Sequence, residues 1–394
     1  MRAVAVVWLL GLGAQAFARV MPLERLPDDK LAALAPLLQR GELALIESNK
    51  DGTLKQVTLL LFVAAAPATV HDVLAHAGDY KKFIPNVSKS TWEARPDGTF
   101  SSAWQLDLPV SSFDQINLYA FEPGQGPEKP GAINVRCPDE RDDATYRWEM
   151  KPVVGGTVLV QYGYTDVKHS NALVRSFVKK MPVTEHGLAL AAQMLMAMNM
   201  KREAERRTPA GSLPPLDKTV KSPGFGFLLD RGQVAVMRSF PDGTLSEVSV
   251  LDRVYAPVAK IVDALAHPAA WSSFIPGVGS SEESAHAGGL ITYHTDFSIP
   301  LVTWSSTYDL RVGDHSVEGF ATSGDLHGAH FQWDLTARSP TETLVVYRVN
   351  QRLQQSSTVF RKLIQYEPSL EHGLNVAFSL VYLRAIRGRA EGWR

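Results

Sequence analysis

The sequence predicts an α+β protein with two tandem copies of one domain, each a curved antiparallel sheet wrapped around a long C-terminal helix. Two observations lead to this prediction: the chain repeats itself, and the hydrophobic periodicity changes from strand to helix in the same order in both copies. Asp51-Gly52 returns as Asp242-Gly243, and Glu185-His186-Gly187 returns at nearly the same offset as Glu371-His372-Gly373. A repeat unit of this length indicates a globular domain rather than a solenoid unit.

Each copy begins with a hairpin and a helix. Residues 43–49 and 54–63 have strand character, and the Asp-Gly pair between them is typical of a tight turn. A helix is predicted to begin at Pro67, because an apolar stripe follows at positions i, i+3, i+4 and i+7, formed by Val70, Val73, Leu74 and Ala77. The second copy repeats this stripe.

The rest of each copy is predicted to be a sheet followed by a helix. In the first copy the candidate strands are 88–95, 100–108, 112–121, 131–137, 144–150 and 156–167. Gly and Pro residues separate them, as short antiparallel connections require. A helical pattern starts at Asn171, breaks at Pro182 and resumes over 188–206 as a long helix.

The N-terminus is typical of a cleaved secretory signal. Met1-Arg2 precedes an apolar stretch, and small residues stand at Ala16 and Ala18. We expect cleavage after Ala18 and export, to the periplasm in a Gram-negative source. The predicted organisation is a signal peptide, a leader, a first domain, a linker rich in Pro and small residues, and a second domain, at 1–18, 19–36, 37–206, 207–227 and 228–391.

Composition excludes several classes of function. Forty Lys and Arg residues against 41 Asp and Glu give a net charge of −1, so the chain lacks the basic excess expected of a nucleic-acid-binding protein. The single cysteine, Cys137, cannot form an intrachain disulfide. The sequence has no Gly-x-Ser-x-Gly elbow, phosphate loop, dinucleotide fingerprint or HExxH pattern. It therefore predicts no cofactor, no metal site and no assigned catalytic residue.

One segment makes the fold more specific. Tyr80–Val87 and Trp271–Val278 both read aromatic-x-x-Phe-Ile-Pro-x-Val, directly after the first helix of each copy. With the element order, this segment resembles the START-like (helix-grip) superfamily, in its coenzyme Q-binding and polyketide cyclase/dehydrase branch. The resemblance covers residues 42–206 and 233–391 at the level of element order. It implies a cavity between sheet and long helix that encloses a lipid, a quinone or a polyketide.

The candidate ligand-binding residues are aromatic and flexible apolar side chains at matching places, together with the repeated histidines. Each of these aromatic or apolar residues could instead be ordinary core, because a domain of this size needs a large packed interior. The predicted set is Tyr80, Phe83, Trp104, Trp148, Tyr162, His186, Met194 and Met198 in the first copy, and Trp271, Phe274, Phe297, Trp333, Tyr347, His372, Phe378 and Tyr382 in the second.

The histidines admit two interpretations. A histidine beside a carboxylate, as at His186 and His372, could transfer protons or bind the polar head of a ligand. Alternatively, the preceding glutamate complements the helix dipole and the following glycine allows a close backbone approach, which is a structural role. His294 and Asp296 form a further polar pair that the first copy lacks.

The sequence therefore predicts an exported binding or carrier protein for a hydrophobic small molecule, with transient membrane contact and no nucleic-acid partner. One alternative is a cyclase or dehydratase that uses a histidine–carboxylate pair in the same cavity. A second is a protein-interaction module with filled cores. The sequence offers little support for an enzyme, because no recognised catalytic motif is present.

Overall fold

The structure is a computed structural model that describes residues 23–108, 111–137, 144–167, 172–214, 224–240, 242–299 and 302–393. The predicted signal peptide and its cleavage position lie outside these residues. The α+β class and the tandem helix-grip arrangement predicted from the sequence are confirmed. Within the described residues, no helix combines the length and the apolar character that crossing a membrane requires.

The first half contains nine strands and five helices in the described residues. The strands are β1 Glu42–Ser48, β2 Leu54–Val63, β3 Val87–Ser90, β4 Glu93–Ala94, β5 Phe100–Leu108, β6 Ser111–Phe121, β7 Ile133–Cys137, β8 Ala144–Val153 and β9 Gly156–Thr165. The helices are α1 Asp28–Ala33, α2 Ala35–Leu38, α3 Pro67–Ala75, α4 Ala172–Lys180 and α5 Thr184–Arg207, with a 3-10 helix at Ala77–Lys82.

The second half repeats this order. Its described strands are β10 Gln233–Ser239, β11 Leu245–Val254, β12 Val278–Ala287, β13 Leu290–Ile299, β14 Val302–Val312, β15 Ser316–Gly324, β16 His330–Ser339 and β17 Glu342–Asn350. Its described helices are α6 Gly226–Leu229, α7 Val258–Ala266, α8 Leu353–Ser356, α9 Thr358–Tyr366 and α10 Ser369–Glu391, with a 3-10 helix at Pro268–Ser273.

Each half is an antiparallel sheet that grips its last helix. In the first half, β2 pairs with both β1 and β9, and in the second half β11 pairs with both β10 and β17. The long helices α5 and α10 pack against the concave faces, where the main apolar cluster lies. The sheet therefore positions alternate side chains of each strand against the helix.

The leader covers the outer face of the first sheet. Leu31 and Leu34 are fully buried against Leu43, Leu60 and Val160, in a cluster separate from the one around the long helices. Each buried leucine stabilises this contact by about 1.5–3 kcal/mol. The outer face is therefore a second small core.

The two halves join through main-chain contacts that depend on glycine. Strand β1 pairs with β10 in antiparallel register, so one sheet runs through both halves. A Cβ atom at Gly41 would lie 2.2 Å from the carbonyl oxygen of Met237, and one at Gly232 would lie 2.2 Å from that of Ile46. The glycine of the Arg-Gly pair found at this place in both halves therefore allows the two strands to come close enough to pair.

The long helices meet in the same symmetric way. A Cβ at Gly187 on α5 would lie 2.1 Å from the Cβ of Ala377 on α10, and one at Gly373 would lie 2.5 Å from the Cβ of Ala191. Each glycine thus sits against the alanine of the opposite helix. The repeated Glu-His-Gly segment marks this crossing.

Gly187→Val should destabilise the protein by about 3 kcal/mol, because the added methyl groups overlap Ala377 and force the two helices apart. Gly279→Val is the matched control, since Gly279 lies in strand β12 and its nearest neighbour, the carbonyl oxygen of Asp296, would be 3.7 Å from a Cβ. Urea unfolding followed by circular dichroism measures both. Equal stability of the two variants would contradict the proposed close crossing.

Candidate functional site

A small enclosed cavity lies between helix α10 and the sheet of the second half. Its volume is about 40 Å³. Eight of its lining residues are aromatic: Trp271, Tyr293, Trp304, Tyr308, Phe331, Trp333, Tyr347 and Tyr382. The lining also contains polar groups from Thr295, His330 and Gln351. The cavity is thus an aromatic chamber with a few polar groups, the usual composition of a small-molecule site.

Strand alternation brings these side chains together. Tyr293 and Thr295 are two residues apart on β13, and Tyr308 pairs directly with Tyr293 from β14. Further along the same sheet, Trp333 of β16 pairs with Tyr347 of β17. Residues two apart on a strand point to the same face, so all of these residues face the long helix.

The ring contacts are close and varied. Trp333 stacks on Tyr347 with ring centroids 4.1 Å apart, and Tyr293 stacks on Tyr308 at 5.3 Å. Trp271 meets Tyr293 edge to face at 5.1 Å, and its indole nitrogen donates to the carbonyl oxygen of Ala264. Such pairs contribute about 0.5–1.5 kcal/mol each beyond area burial. The rings that form the walls therefore pack on one another.

Four phenols converge on the chamber without hydrogen-bond partners. In the described part of the chain, no hydrogen bond joins the hydroxyl of Tyr293, Tyr308, Tyr347 or Tyr382 to another residue. Burial raises the pKa of each phenol above its ordinary value, and for Tyr293 the neighbouring tyrosines add to this rise. The groups are therefore neutral and can each donate one hydrogen bond. The buried Oε1 of Gln351 is likewise unpaired among the described residues.

A histidine lies at the edge of the chamber. His330 Nε2 is 3.1 Å from Glu318 Oε1, and the imidazole stacks on Phe320 with centroids 4.4 Å apart. Phe320 is 45% exposed. Phe331 and Trp333 face the chamber, so the side chain of His330, one position before Phe331 on β16, lies on the outer face of the sheet beside Phe320.

Comparisons with known proteins find similarity only to solved structures of low sequence identity. No protein-family model and no curated protein matches this chain. The di-domain aromatase/cyclase StfQ of the steffimycin biosynthetic pathway is 15% identical, over 86% of this chain and 98% of that chain, with a TM-score of 0.29. Human STARD10 is 18% identical, over 42% and 70% of the two chains, with a TM-score of 0.33. The STAR-related lipid transfer protein of Xanthomonas axonopodis is 16% identical, over 38% and 93%, with a TM-score of 0.29.

The fold is START-like. The element order, the antiparallel sheets and the enclosed long helices described above carry this assignment. The similar structures share less than a fifth of their residues with this chain, so they say nothing further about its chemistry.

In the second START-like half, the structure brings four of the predicted residues to the chamber: Trp271, Trp333, Tyr347 and Tyr382. Phe297 and Phe378 lie behind it and pack on Trp304, at centroid distances of 4.7 and 5.3 Å. Phe274 is half-buried, and the guanidinium carbon of Arg389 is 5.7 Å from its ring.

In the first half, most of the predicted residues belong to the core. Trp148, Met194 and Met198 are buried in the main apolar cluster. Tyr80 is buried there too, and its hydroxyl donates to the carbonyl oxygen of Leu74 at 2.8 Å. Phe83 and Trp104 are half-buried at the edge of this cluster, and the indole nitrogen of Trp104 has no partner among the described residues.

Tyr162 requires a correction. Its side chain lies on the outer face of the sheet, where its hydroxyl accepts a hydrogen bond from the backbone N–H of Leu26 in the leader. The cause is the β8–β9 register: Trp148 pairs with Gln161, whereas Trp333 pairs with Tyr347. Gln161 is thus the counterpart of Tyr347. A shift of one residue moves a side chain to the other face of a sheet.

The same comparison shows how the two interiors differ. Ser102 and Asn117 pair across β5 and β6 as Tyr293 and Tyr308 do across β13 and β14. Ser102 Oγ, Asn117 Oδ1 and Gln161 Oε1 are buried without partners in the described residues. The first half therefore carries short polar side chains where the second has phenols.

His186 and His372 lie at the junction of the two halves instead of in the chamber. His186 Nε2 is 2.9 Å from Ser48 Oγ, and His372 Nε2 is 2.8 Å from Ser239 Oγ. Both serines end the first strand of their own half. Burial lowers the pKa of His372 to about 4, so its imidazole is neutral at neutral pH. These contacts fit the structural interpretation of the repeated segment.

His294 and Asp296 lie on an exposed face of β13. His294 Nε2 is 2.9 Å from Ser305 Oγ and 3.4 Å from Asp296 Oδ1. Because serine and aspartate approach the same nitrogen, this is not the relay of a nucleophilic triad. The pair also does not line the chamber.

Sequence reasoning missed Tyr293, Trp304, Tyr308, Phe331 and Gln351. The signal for the aromatic residues was present as period-two alternation along three strands, for example Tyr293, Thr295 and Phe297 on β13. Gln351 follows the last strand, and no pattern marks it.

Glu371→Gln should change the free energy of unfolding in favour of the folded state by about 2 kcal/mol more at pH 8 than at pH 5. Burial raises the pKa of Glu371 to about 7, from an ordinary value of 4.5. Its contribution to stability is therefore full below pH 4.5 and is lost as the pH rises through 7, whereas glutamine does not titrate. Urea unfolding of wild type and variant at both pH values measures the difference.

Glu282→Gln, at an exposed position on β12, is the control and should show no such pH-dependent difference. The opposite contribution of His372, which is lost as the pH falls towards 4, is present in wild type and variant alike and cancels. A Glu371→Gln effect that is equal at pH 5 and pH 8 would contradict the raised pKa.

Proposed function

We propose that the protein binds or carries a hydrophobic small molecule, which it holds in the aromatic chamber of the second half. The observation that carries this proposal is the set of four buried phenol hydroxyls without partners in the described residues, pointing into an aromatic enclosure. An ordinary core buries tyrosines with partners, because an unpaired buried hydroxyl costs about 1–3 kcal/mol. A ligand with acceptor oxygens would satisfy these groups.

The energetics favour a ligand that is mainly apolar. Burying about 300 Å² of apolar surface gains about 7 kcal/mol before the costs of association. Each hydrogen bond from a phenol adds about 1 kcal/mol and fixes the orientation of the oxygen that accepts it. An apolar body with one or two carbonyl or ether oxygens, as in a lipid, a quinone or a polyketide, matches this lining.

Uptake requires the wall to move. The chamber of about 40 Å³ has room for about three water molecules. Trp271 lies on the 3-10 helix Pro268–Ser273 and closes one side, next to the half-buried Phe274. We propose that this aromatic-x-x-Phe-Ile-Pro segment swings outward as a gate, because it is short and lies at the edge of the core.

The doubly substituted variant Tyr293→Phe, Tyr308→Phe should bind ligand about tenfold or more weakly, because it loses two donors while it keeps both rings. The measurement is native mass spectrometry of the detergent-free protein with added decylubiquinone, palmitate and phosphatidylcholine, supported by solvent extraction of what it carries from its host. Tyr255→Phe, which removes a phenol hydroxyl from a residue that is 61% exposed, is the control and should bind as wild type.

Two outcomes would contradict the binding proposal. Equal ligand affinity of wild type and the double variant would show that the phenol hydroxyls do not contribute to binding. Wild-type protein that carries nothing from its host and takes up none of the three probes would favour a filled core and an interaction role instead.

The same experiment tests an enzyme of the cyclase or dehydratase kind. The predicted enzyme uses a histidine–carboxylate pair inside the cavity, whereas the pair nearest the chamber, His330 and Glu318, lies on the outer face of β15 and β16. The neutral phenols of the chamber could instead donate hydrogen bonds to a carbonyl oxygen of the ligand that gains negative charge during a reaction. Loss of water from a bound ligand during incubation would support an enzyme, whereas release of unchanged ligand supports a carrier.

We further propose that the chain is exported, because the segment Met1–Ala18 has the pattern of a signal peptide. The mature protein from its own host should begin at Arg19. Intact-mass measurement of periplasmic and cytoplasmic fractions tests this. A full-length chain found in the cytoplasm alone would contradict export.

A further inference from the structure

A groove of about 310 Å³ lies where the first strands of the two halves meet the end of α10. It is distinct from the aromatic chamber, with which it shares no lining residue. Its charged lining is mostly basic: Lys50, Arg231, Arg253, Arg384 and Arg387 stand against Asp230 and Asp252. The groove therefore has an excess of positive charge in a chain whose net charge is −1.

Two of these arginines are neutralised within the fold. Arg231 Nη2 is 2.9 Å from Glu47 Oε2, and Arg253 Nη2 is 2.7 Å from Asp230 Oδ1. Their donors are directed at these carboxylates. They form part of the wall of the groove, but their positive charges are balanced by these carboxylates.

Arg384 is different, because it has no carboxylate partner in the described part of the chain. It is half-buried, and Nη2 donates one hydrogen bond, to the carbonyl oxygen of Gly52 at 3.0 Å. Its other guanidinium N–H groups have no acceptor among the described residues. Burial, and then the nearby Arg387, lowers its pKa from the ordinary value. A cation held in this way is costly unless an anion joins it.

The neighbours of Arg384 also have unused donors. Arg387 uses Nε for Glu391 and Nη1 for Asp252, which leaves Nη2 unpaired in the described residues. Lys50, in the turn between β1 and β2, makes no ion pair there. Arg384 and Arg387 are three residues apart and lie on the same side of the helix. Donors from both halves thus face one groove.

The aromatic groups at the rim hold this arrangement in place. The guanidinium carbon of Arg387 is 5.8 Å from the ring centroid of Tyr255 and 5.4 Å from that of Trp393. These two residues are 61% and 51% exposed. Contact with the two rings restricts the motion of the guanidinium group before any ligand binds.

The first half has no equivalent. At the offset that relates His372 to His186, Met198 stands at the position of Arg384, and Lys201 stands at that of Arg387. Met198 is buried in the core. The cation of the second half is therefore not required by the fold that both halves share.

We propose that this groove binds an oxyanion of the phosphate type, held by Arg384, Arg387 and Lys50. A guanidinium matches the geometry of phosphate oxygens and donates two parallel hydrogen bonds to them. The anion is either a free phosphate compound or the headgroup of an anionic lipid, since both present the same atoms. This site does not depend on the hydrophobic ligand proposed above.

Arg384→Met tests the site directly, because it introduces the residue that the first half carries at the matching position. Inorganic phosphate is titrated into the full mature chain in low-salt buffer by isothermal titration calorimetry. We expect the dissociation constant to rise about tenfold or more in this variant. Arg389→Met is the matched control, which removes the same charge from an exposed position on the same helix outside the groove and should bind as wild type.

A pair of glycine variants tests the geometry. Gly52 and Gly243 occupy equivalent turns with φ of +82° and +84°, so replacement by alanine strains both turns alike. A Cβ at Gly52 would lie 2.1 Å from Nη2 of Arg384, whereas one at Gly243 would meet nothing within 4 Å. Gly52→Ala should therefore weaken phosphate binding, and Gly243→Ala should leave it unchanged. Circular dichroism melting of every variant verifies folding.

Flotation with phosphatidylglycerol vesicles, against phosphatidylcholine vesicles, separates the two sources of the anion. Phosphate binding that Arg384→Met weakens and Arg389→Met retains supports the site with a free ligand. Vesicle binding with the same pattern, and no binding of phosphate, supports the site with a lipid headgroup. Absence of both, or equal loss in the two arginine variants, would overturn the proposal.

Discussion

The arrangement of the whole molecule depends on one steric constraint, the close approach of helices α5 and α10 at Gly187 and Gly373. Neither position has room for a side chain, since a Cβ at either would lie within 2.5 Å of an alanine side chain on the other helix. The crossing fixes which side of each helix faces its own sheet. It also sets the ends of β1 and β10 side by side, where Gly41 and Gly232 allow the strands to pair.

This junction explains two of the repeated motifs. The Arg-Gly and Glu-His-Gly motifs are alike in both halves because each half contributes the same surface to a nearly two-fold contact. The interiors have no such shared partner and have diverged. Tyr293 and Tyr308 of the second half occupy the positions that Ser102 and Asn117 occupy in the first. Similarity at these two motifs therefore reflects assembly, whereas the difference between the interiors is where the two halves can bind different ligands.

The element order could be predicted from the sequence because hydrophobic periodicity and turn residues are local signals. The role of His186 and His372 could not, because it depends on the approach of a second half that is far away along the chain. Tyr162 was misplaced because a one-residue change in the β8–β9 hairpin reverses the face, and spacing alone does not reveal it. Trp271, Trp333, Tyr347 and Tyr382 line the chamber, because aromatic side chains on inward strand and helix positions of this fold converge there.

Helix α10 connects the two proposed sites. Tyr382 and Ile386, four residues apart, face the aromatic chamber, whereas Arg384 and Arg387 face the junction groove. Arg384 is also bonded to Gly52 of the first half. Any displacement of α10 that enlarges the chamber therefore moves Arg384 relative to that turn and changes the spacing of the donors around the groove. If ligand uptake displaces α10 in this way, the two proposed sites would be coupled, and by thermodynamic linkage the effect would be the same in both directions.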